Sequence, residues 1–245
     1  MDKTPKDAPD GKDAKSRLIV ALDVPDRATA LEKVDLLSGR VGCFKLGLEI
    51  FSAEGPRLVE EIRDRGEDIF LDLKLHDIPN TVAGAVRSAC KLGVKMLTVH
   101  ASGGAAMLRA AVDAAQEAAA QPLILAVTAL TSLSEDDVAR LGVGQGVEQW
   151  VETLASIAHG AGVRGLVASS KELPALRRRF DDGMELVIPG IRPAGAATQD
   201  QSRTATPGAA ILAGADFIVV GRPILNADDP GAAADAIVAE VRQAL

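Results

Sequence analysis

Ile69-Phe70-Leu71-Asp72-Leu73-Lys74-Leu75-His76-Asp77-Ile78-Pro79-Asn80-Thr81-Val82 is the stretch from which the fold of this 245-residue chain is read. Its first half alternates: Phe70, Asp72 and Lys74 share one parity, Leu71, Leu73 and Leu75 the other. Successive side chains of a strand point to opposite faces, so the two charges share a face and the leucines cover a hydrophobic layer. Pro79 stops the strand, and because Pro is tolerated in a first helical turn, a helix is expected from near Asn80. Asp72 and Lys74 therefore stand at the carboxyl end of a strand, with Asp77 in the loop just beyond. An inward Asp–Lys pair either fills a polar barrel centre or sets up proton transfer. Three charges within six residues point to the second, because buried charges are costly unless paired and carboxylates around one ammonium poise a proton.

Outward from this stretch, strands and helices alternate. Strands are expected over 18–22, 43–47, 69–75, 95–100, 122–127, 163–168, 184–188 and 216–220. Helices are expected from Asp26 to about Leu37 and over 50–65, 80–92, 134–141, 147–159, 171–179 and 230–244, with an Ala-rich helix opened by Gly103-Gly104. Helices on alternate steps force parallel strands, and eight such units close a sheet into a barrel. The expectation is a single-domain α/β protein, a TIM (β/α)8 barrel over 17–245, preceded by a disordered polar leader over 1–16. A doubly wound open sheet is the alternative.

Composition agrees. Hydrophobic residues make up 47% of the chain but aromatics only 2%, so Ala, Val, Leu and Ile must build the core. Such residues suit the layered interior of a parallel barrel. A net charge of -7 argues against nonspecific nucleic-acid binding, while leaving room for a local cationic pocket. Cys43 and Cys90 lack metal or redox spacing and read as small buried hydrophobes of a reducing, cytoplasmic setting. The apolar runs are of strand length, so neither a signal peptide nor a membrane span is expected.

In a barrel, polar residues at strand ends converge on one mouth. The strands deliver Asp23, Lys45, Asp72 with Lys74 and Asp77, His100, and then Thr128 with Thr131. The seventh is followed by Pro189-Gly190-Ile191-Arg192-Pro193 and a polar loop holding Gln199, Gln201 and Arg203; the eighth ends in Gly221-Arg222-Pro223. Gly221-Arg222 is either a phosphate site or a turn with a surface arginine; its place after the last strand favours phosphate. The loop over 190–206 carries little core and is expected to act as a lid. His100 is a general acid or a structural residue, and His76 and His159 read as solvent-facing or packing residues without metal-ligand spacing. Lys45 either neutralises Asp72 or extends an alternating charge network.

These residues resemble the orotidine 5′-phosphate decarboxylase family. Asp72-Leu73-Lys74-Leu75-His76-Asp77-Ile78-Pro79-Asn80-Thr81 is similar to its Asp-x-Lys-x-x-Asp signature. Phe44-Lys45-Leu46-Gly47, Val127-Thr128-Ala129-Leu130-Thr131-Ser132, Pro189-Gly190-Ile191-Arg192-Pro193, Asp200-Gln201-Ser202-Arg203 and Val219-Val220-Gly221-Arg222-Pro223-Ile224 extend the resemblance over nearly all the chain after the leader. The resemblance implies a cytoplasmic TIM-barrel homodimer that needs no cofactor or metal, binds no nucleic acid or membrane, and makes UMP from orotidine monophosphate. Carried over by position, Lys74 protonates C6 of the pyrimidine, Asp72 lies beside the departing carboxylate, and Lys45 completes the network. Asp77 and Thr81 reach the partner's site. Asp23, Lys45 and Thr81 hold the ribose, Thr131 and Gln201 the base, and Arg192, Gln201, Gly221 and Arg222 the phosphate; Ile78 joins the substrate-binding set.

Two other readings remain. Magnesium-dependent 3-keto-gulonate 6-phosphate decarboxylases and hexulose-phosphate synthases share the short signature, but would want a carboxylate where Lys45 stands, since a cation does not ligate magnesium. A non-catalytic nucleotide-binding barrel would use Gly221 and Arg222 alone and leave the Asp-Lys-Asp cluster unexplained.

Overall fold

The strands sort their side chains by parity in the computed structural model, which describes residues 13–193 and 204–245. Eight strands form a closed barrel in sequence order: β1 (Leu18–Ala21), β2 (Cys43–Gly47), β3 (Ile69–Leu75), β4 (Met96–His100), β5 (Leu123–Val127), β6 (Gly165–Val167), β7 (Glu185–Ile188) and β8 (Phe217–Val220). Every neighbouring pair is parallel, and β8 closes on β1. Ile19, Ala21, Cys43, Phe70, Met96, Leu125, Val187, Phe217 and Val219 point inward and pack as one cluster. Their sequence neighbours Leu18, Val20, Phe44, Leu71, Leu97, Ala126, Leu186, Ile188 and Ile218 point outward into the layer shared with the helices. The interior is thus a packed core, as the alternation requires.

The helices are α1 (Arg27–Leu37), α2 (Leu48–Arg63), α3 (Pro79–Lys91), α4 (Gly104–Gln116), α5 (Glu135–Arg140), α6 (Val147–Gly160), α7 (Leu173–Phe180), α8 (Pro207–Leu212), α9 (Arg222–Leu225) and α10 (Pro230–Ala244). Their starts follow local chemistry. Asp26, Thr206 and Asp229 each accept a backbone N–H from the first turn of α1, α8 and α10. Ser134 and Asp137 form a reciprocal capping box at α5. Pro79 stands at the start of α3, where its missing N–H leaves no bond unmade. Among the described residues no helix is long and apolar enough to cross a membrane.

Three local features differ from the sequence expectation. Helices α8 and α9 were not anticipated, because six and four residues are too few to display a helical period. The expected helix over 50–65 begins at Leu48 and is kinked at Gly55, whose φ of 63° breaks the ladder just before Pro56. The leader's last residues are ordered: Ala14 is buried, and Asp13 accepts the Ser16 N–H at 2.7 Å. The remainder of the expected leader, over 1–12, lies outside the described residues.

The feature that matters most for the site is in β3. Leu71 pairs with Leu97, yet Leu75 pairs with Val99, so β3 takes four steps where β4 takes two. The extra length bulges out of the ladder, and Lys74 sits in the bulge with φ of 50°. This is the left-handed region, which a residue with a Cβ adopts only when its surroundings hold it there.

Candidate active site

The carboxyl ends of the strands surround a cavity of about 220 Å³. Asp23, Lys45, Asp72, Lys74, Thr131, Arg192, Gly221 and Arg222 all line it, with Phe70, Val127, Leu130, Val167, Ile191 and Val219 as apolar wall. Eight of the residues singled out in the sequence are therefore brought together from β2, β3 and the segments after β1, β5, β7 and β8.

Asp72 is at the centre. It continues the inward parity of Phe70 and is 8% exposed. The Lys74 ammonium reaches back from the bulge and donates to both carboxylate oxygens, at 2.9 and 2.8 Å. Lys45 Nζ lies 3.4 Å from Asp72 Oδ2 and 3.4 Å from Asp23 Oδ1. The order Asp23, Lys45, Asp72, Lys74 is thus an alternating row of charge. Gly47 leaves space for it, since a Cβ there would stand 3.2 Å from Lys45 Nζ.

Burial alone pushes the Asp72 carboxyl up, but the charges of Lys45 and Lys74 and the hydrogen bonds from Lys74 and Thr98 outweigh it, leaving its pKa below the ordinary carboxylate value. Asp72 is therefore an anion near neutral pH, and both lysines face it as cations.

Thr98 was not anticipated. It is fully buried in β4, on the parity of Met96. Its hydroxyl donates to Asp72 Oδ1 at 2.9 Å and accepts the Lys74 backbone N–H at 2.9 Å. The available signal was its parity, which turns a hydroxyl into the barrel interior beneath the charged residues.

Other candidates fall elsewhere. Asp77, Ile78 and Thr81 are exposed and do not line the cavity of this chain. Asp77 accepts the Ile78 N–H at 2.6 Å, and Ile78 is 66% exposed. Thr128 is buried and donates to the Val167 carbonyl at 3.1 Å, which spends its hydroxyl on the β5–β6 ladder. His100 leans on His76, ring centroids 5.4 Å apart, and stands outside the cavity lining. Burial first, then the neighbouring His76 and Lys74, lower the His100 pKa, so the ring is neutral near pH 7. Gln199, Gln201 and Arg203 lie outside the described residues. So does most of the expected lid, but its base is pinned where Arg192 N donates to the Ala205 carbonyl at 2.9 Å, beside an Ile191–Ala205 bridge.

Fold and site together define a class: a single-domain (β/α)8 barrel whose mouth holds an alternating lysine–carboxylate row and two arginines on one cavity. The model of the orotidine 5′-phosphate decarboxylase / HUMPS family matches residues 16–237. An orotidine 5′-phosphate decarboxylase of Syntrophotalea carbinolica is 50% identical over 238 residues, covering 95% of this chain and 98% of that protein. One from Moorella thermoacetica is 50% identical over 234 residues, 93% of each chain. The crystal structure of the Lactobacillus acidophilus orotidine 5′-phosphate decarboxylase superposes with a TM-score of 0.81 at 37% identity, covering 91% of this chain and 98% of that one. The chain belongs to the orotidine 5′-phosphate decarboxylase / HUMPS family.

Proposed function

We propose that the protein decarboxylates orotidine 5′-phosphate to UMP and CO2, the last step of pyrimidine nucleotide synthesis. The observation that carries this reading is the Lys74 ammonium held on both oxygens of a buried, ionised Asp72, with Lys45 of β2 3.4 Å from the same carboxylate. Within the family, the sugar-phosphate decarboxylases and synthases would need a magnesium-binding carboxylate at that β2 position. An ammonium there supplies no ligand, which favours the nucleotide reaction.

The chemistry follows from the charges. Breaking the C6–carboxylate bond leaves the electron pair on a vinylic carbon with no adjacent sink. A fixed ammonium beside that carbon stabilises the developing carbanion and then gives it a proton. CO2 departs, C6 gains the proton, and the neutral lysine amine recovers one from water. Asp72 holds the Lys74 ammonium aimed beforehand, so little reorganisation is needed when the charge appears. Its negative charge beside the substrate carboxylate also disfavours the ground state, as a secondary contribution.

In this reading Asp23 and Lys45 hold the ribose, Thr131 with Gln201 the base, and Arg192, Gly221, Arg222 and Gln201 the phosphate. The phosphate is remote from the bond that breaks, so its binding energy goes into aligning the row of charge. Asp77, Ile78 and Thr81 stand exposed at the same end of the barrel, which supports a homodimer in which they complete the neighbouring site. A monomeric mass for active enzyme in sedimentation equilibrium would remove that part. The setting is cytoplasmic, with no cofactor, nucleic acid or membrane called for.

The direct test is loss of orotate-ring absorbance when the protein is incubated with orotidine 5′-phosphate, with and without a chelator. Turnover unaffected by chelation is expected. No turnover by folded protein, or turnover abolished by the chelator, would refute the proposal.

A further inference from the structure

We infer that Thr98 is a positioning residue for this reaction: its buried hydroxyl ties the backbone of the proton-donating Lys74 to the carboxylate that aims its ammonium. The inference rests on the decarboxylase reading and deepens it.

The geometry starts with the bulge. β3 is longer than β4 between Leu71 and Leu75, and Lys74 takes up the excess in a left-handed conformation. Such a conformation persists in a non-glycine residue only when neighbouring groups hold it. Thr98 supplies that hold, accepting the Lys74 N–H at 2.9 Å. The same oxygen is 2.9 Å from Asp72 Oδ1. An ionised carboxylate only accepts, so the hydroxyl proton must point to Asp72 and a lone pair is left for the Lys74 N–H. One orientation satisfies both bonds. The hydroxyl thus sets where the Lys74 main chain lies and where Asp72 lies, while the ammonium–carboxylate contact closes the ring of bonds from the other side.

Thr98 is fully buried and does not line the cavity. Its replacement therefore reaches the substrate only through Lys74 and Asp72. Phosphate and ribose contacts stay, so KM is expected to hold while kcat falls. A loss of about 10–100-fold suits a displacement of the reacting groups by a fraction of an ångström to an ångström. The groups facing Asp72 are Lys45 from β2, Lys74 from β3, and Thr98 and His100 from β4, with Asp23 beyond Lys45. Removing the hydroxyl takes a donor from the Asp72 anion, so the acid limb of the kcat profile moves to higher pH.

The test compares Thr98→Val, which keeps the shape, with Thr98→Ser, which keeps the hydroxyl. Orotidine 5′-phosphate turnover is measured across pH, with UMP affinity by calorimetry as the check on the fold. The Val variant should lose about 10–100-fold in kcat with KM and UMP binding unchanged and the acid limb raised. The Ser variant should recover most of the rate. Wild-type kcat in the Val variant would overturn the inference, as would a Ser variant as slow as Val, since the methyl rather than the hydroxyl would then matter. Should the Val variant not fold, Thr98→Ala takes its place under the same two criteria. Absence of turnover in the wild type would end both this inference and the functional proposal; wild-type turnover matched by the Val variant would end this inference alone.

Discussion

At the scale of single residues, the site is a solution to one electrostatic problem. Asp72 is buried, and a lone buried carboxylate would give up its charge; Lys45 and Lys74 keep it ionised. Its folded pKa is depressed, so its contribution to stability is present above the unfolded value of about 3.9 and is lost as pH falls through the lower folded value. Asp72→Asn leaves the two ammonium groups facing no anion at the row's centre. The expected cost is up to about 3 kcal/mol near neutral pH, below the fully buried case because Lys74 is 28% exposed. Urea unfolding at several pH values should show the gap between wild type and variant closing below about pH 4. A gap that widened in acid would contradict the assignment. Asp23, Lys45, Asp72 and Lys74 were legible in the sequence because a charge inside an apolar strand, or just past its end, stands out against its neighbours. Thr98 was not, because a β-branched hydroxyl residue between Leu97 and Val99 satisfies strand preference and raises no conflict. The left-handed Lys74 was not legible either, since alternation predicts a regular strand and nothing local announces the bulge.

At the scale of elements, punctuation did most of the work. The helix starts expected near Asp26, Ser134 and Pro230 are kept within a residue or two, and the structure shows Asp26, Ser134 with Asp137, and Asp229 capping them. Helix α8 carried the same kind of mark, Thr206 before Pro207, but its apolar Ala, Ile and Leu run is too short to show a face. Helix α9 is a single turn starting at Arg222, so the residue read as a strand end begins a helix instead. The opposite end of the barrel shows how closely elements meet. The N-terminal turn over 13–16 passes against Gly42, where a Cβ would lie 2.5 Å from the Ser16 carbonyl oxygen. Backbone cannot rotate away as a side chain can, so Gly42→Ala must displace the turn that buries Ala14. A loss of about 1–3 kcal/mol in urea unfolding is expected, with kcat and KM unchanged, because Gly42 precedes β2 and the site follows its other end. An unaltered unfolding midpoint would show that the turn does not hold this position.

At the scale of the whole molecule, closure explains why distant segments act together. Eight parallel strands place the residues after each strand at one mouth, so positions as far apart as Asp23 and Arg222 line one cavity. The repeat of strand and helix made this legible in a chain with only 2% aromatic residues. Net charge did not: a chain of -7 gives no hint that Lys45, Lys74, Arg192 and Arg222 gather on one cavity. The grouping is a property of topology, invisible to composition. Within that gathering, a lysine ammonium caged by acidic neighbours makes the carbanion of the proposed reaction accessible. The most direct measurement is kcat of Lys74→Ala on orotidine 5′-phosphate, beside its unfolding curve. A fall of roughly a thousandfold or more is expected, with the fold intact. A rate near that of the wild type would contradict it.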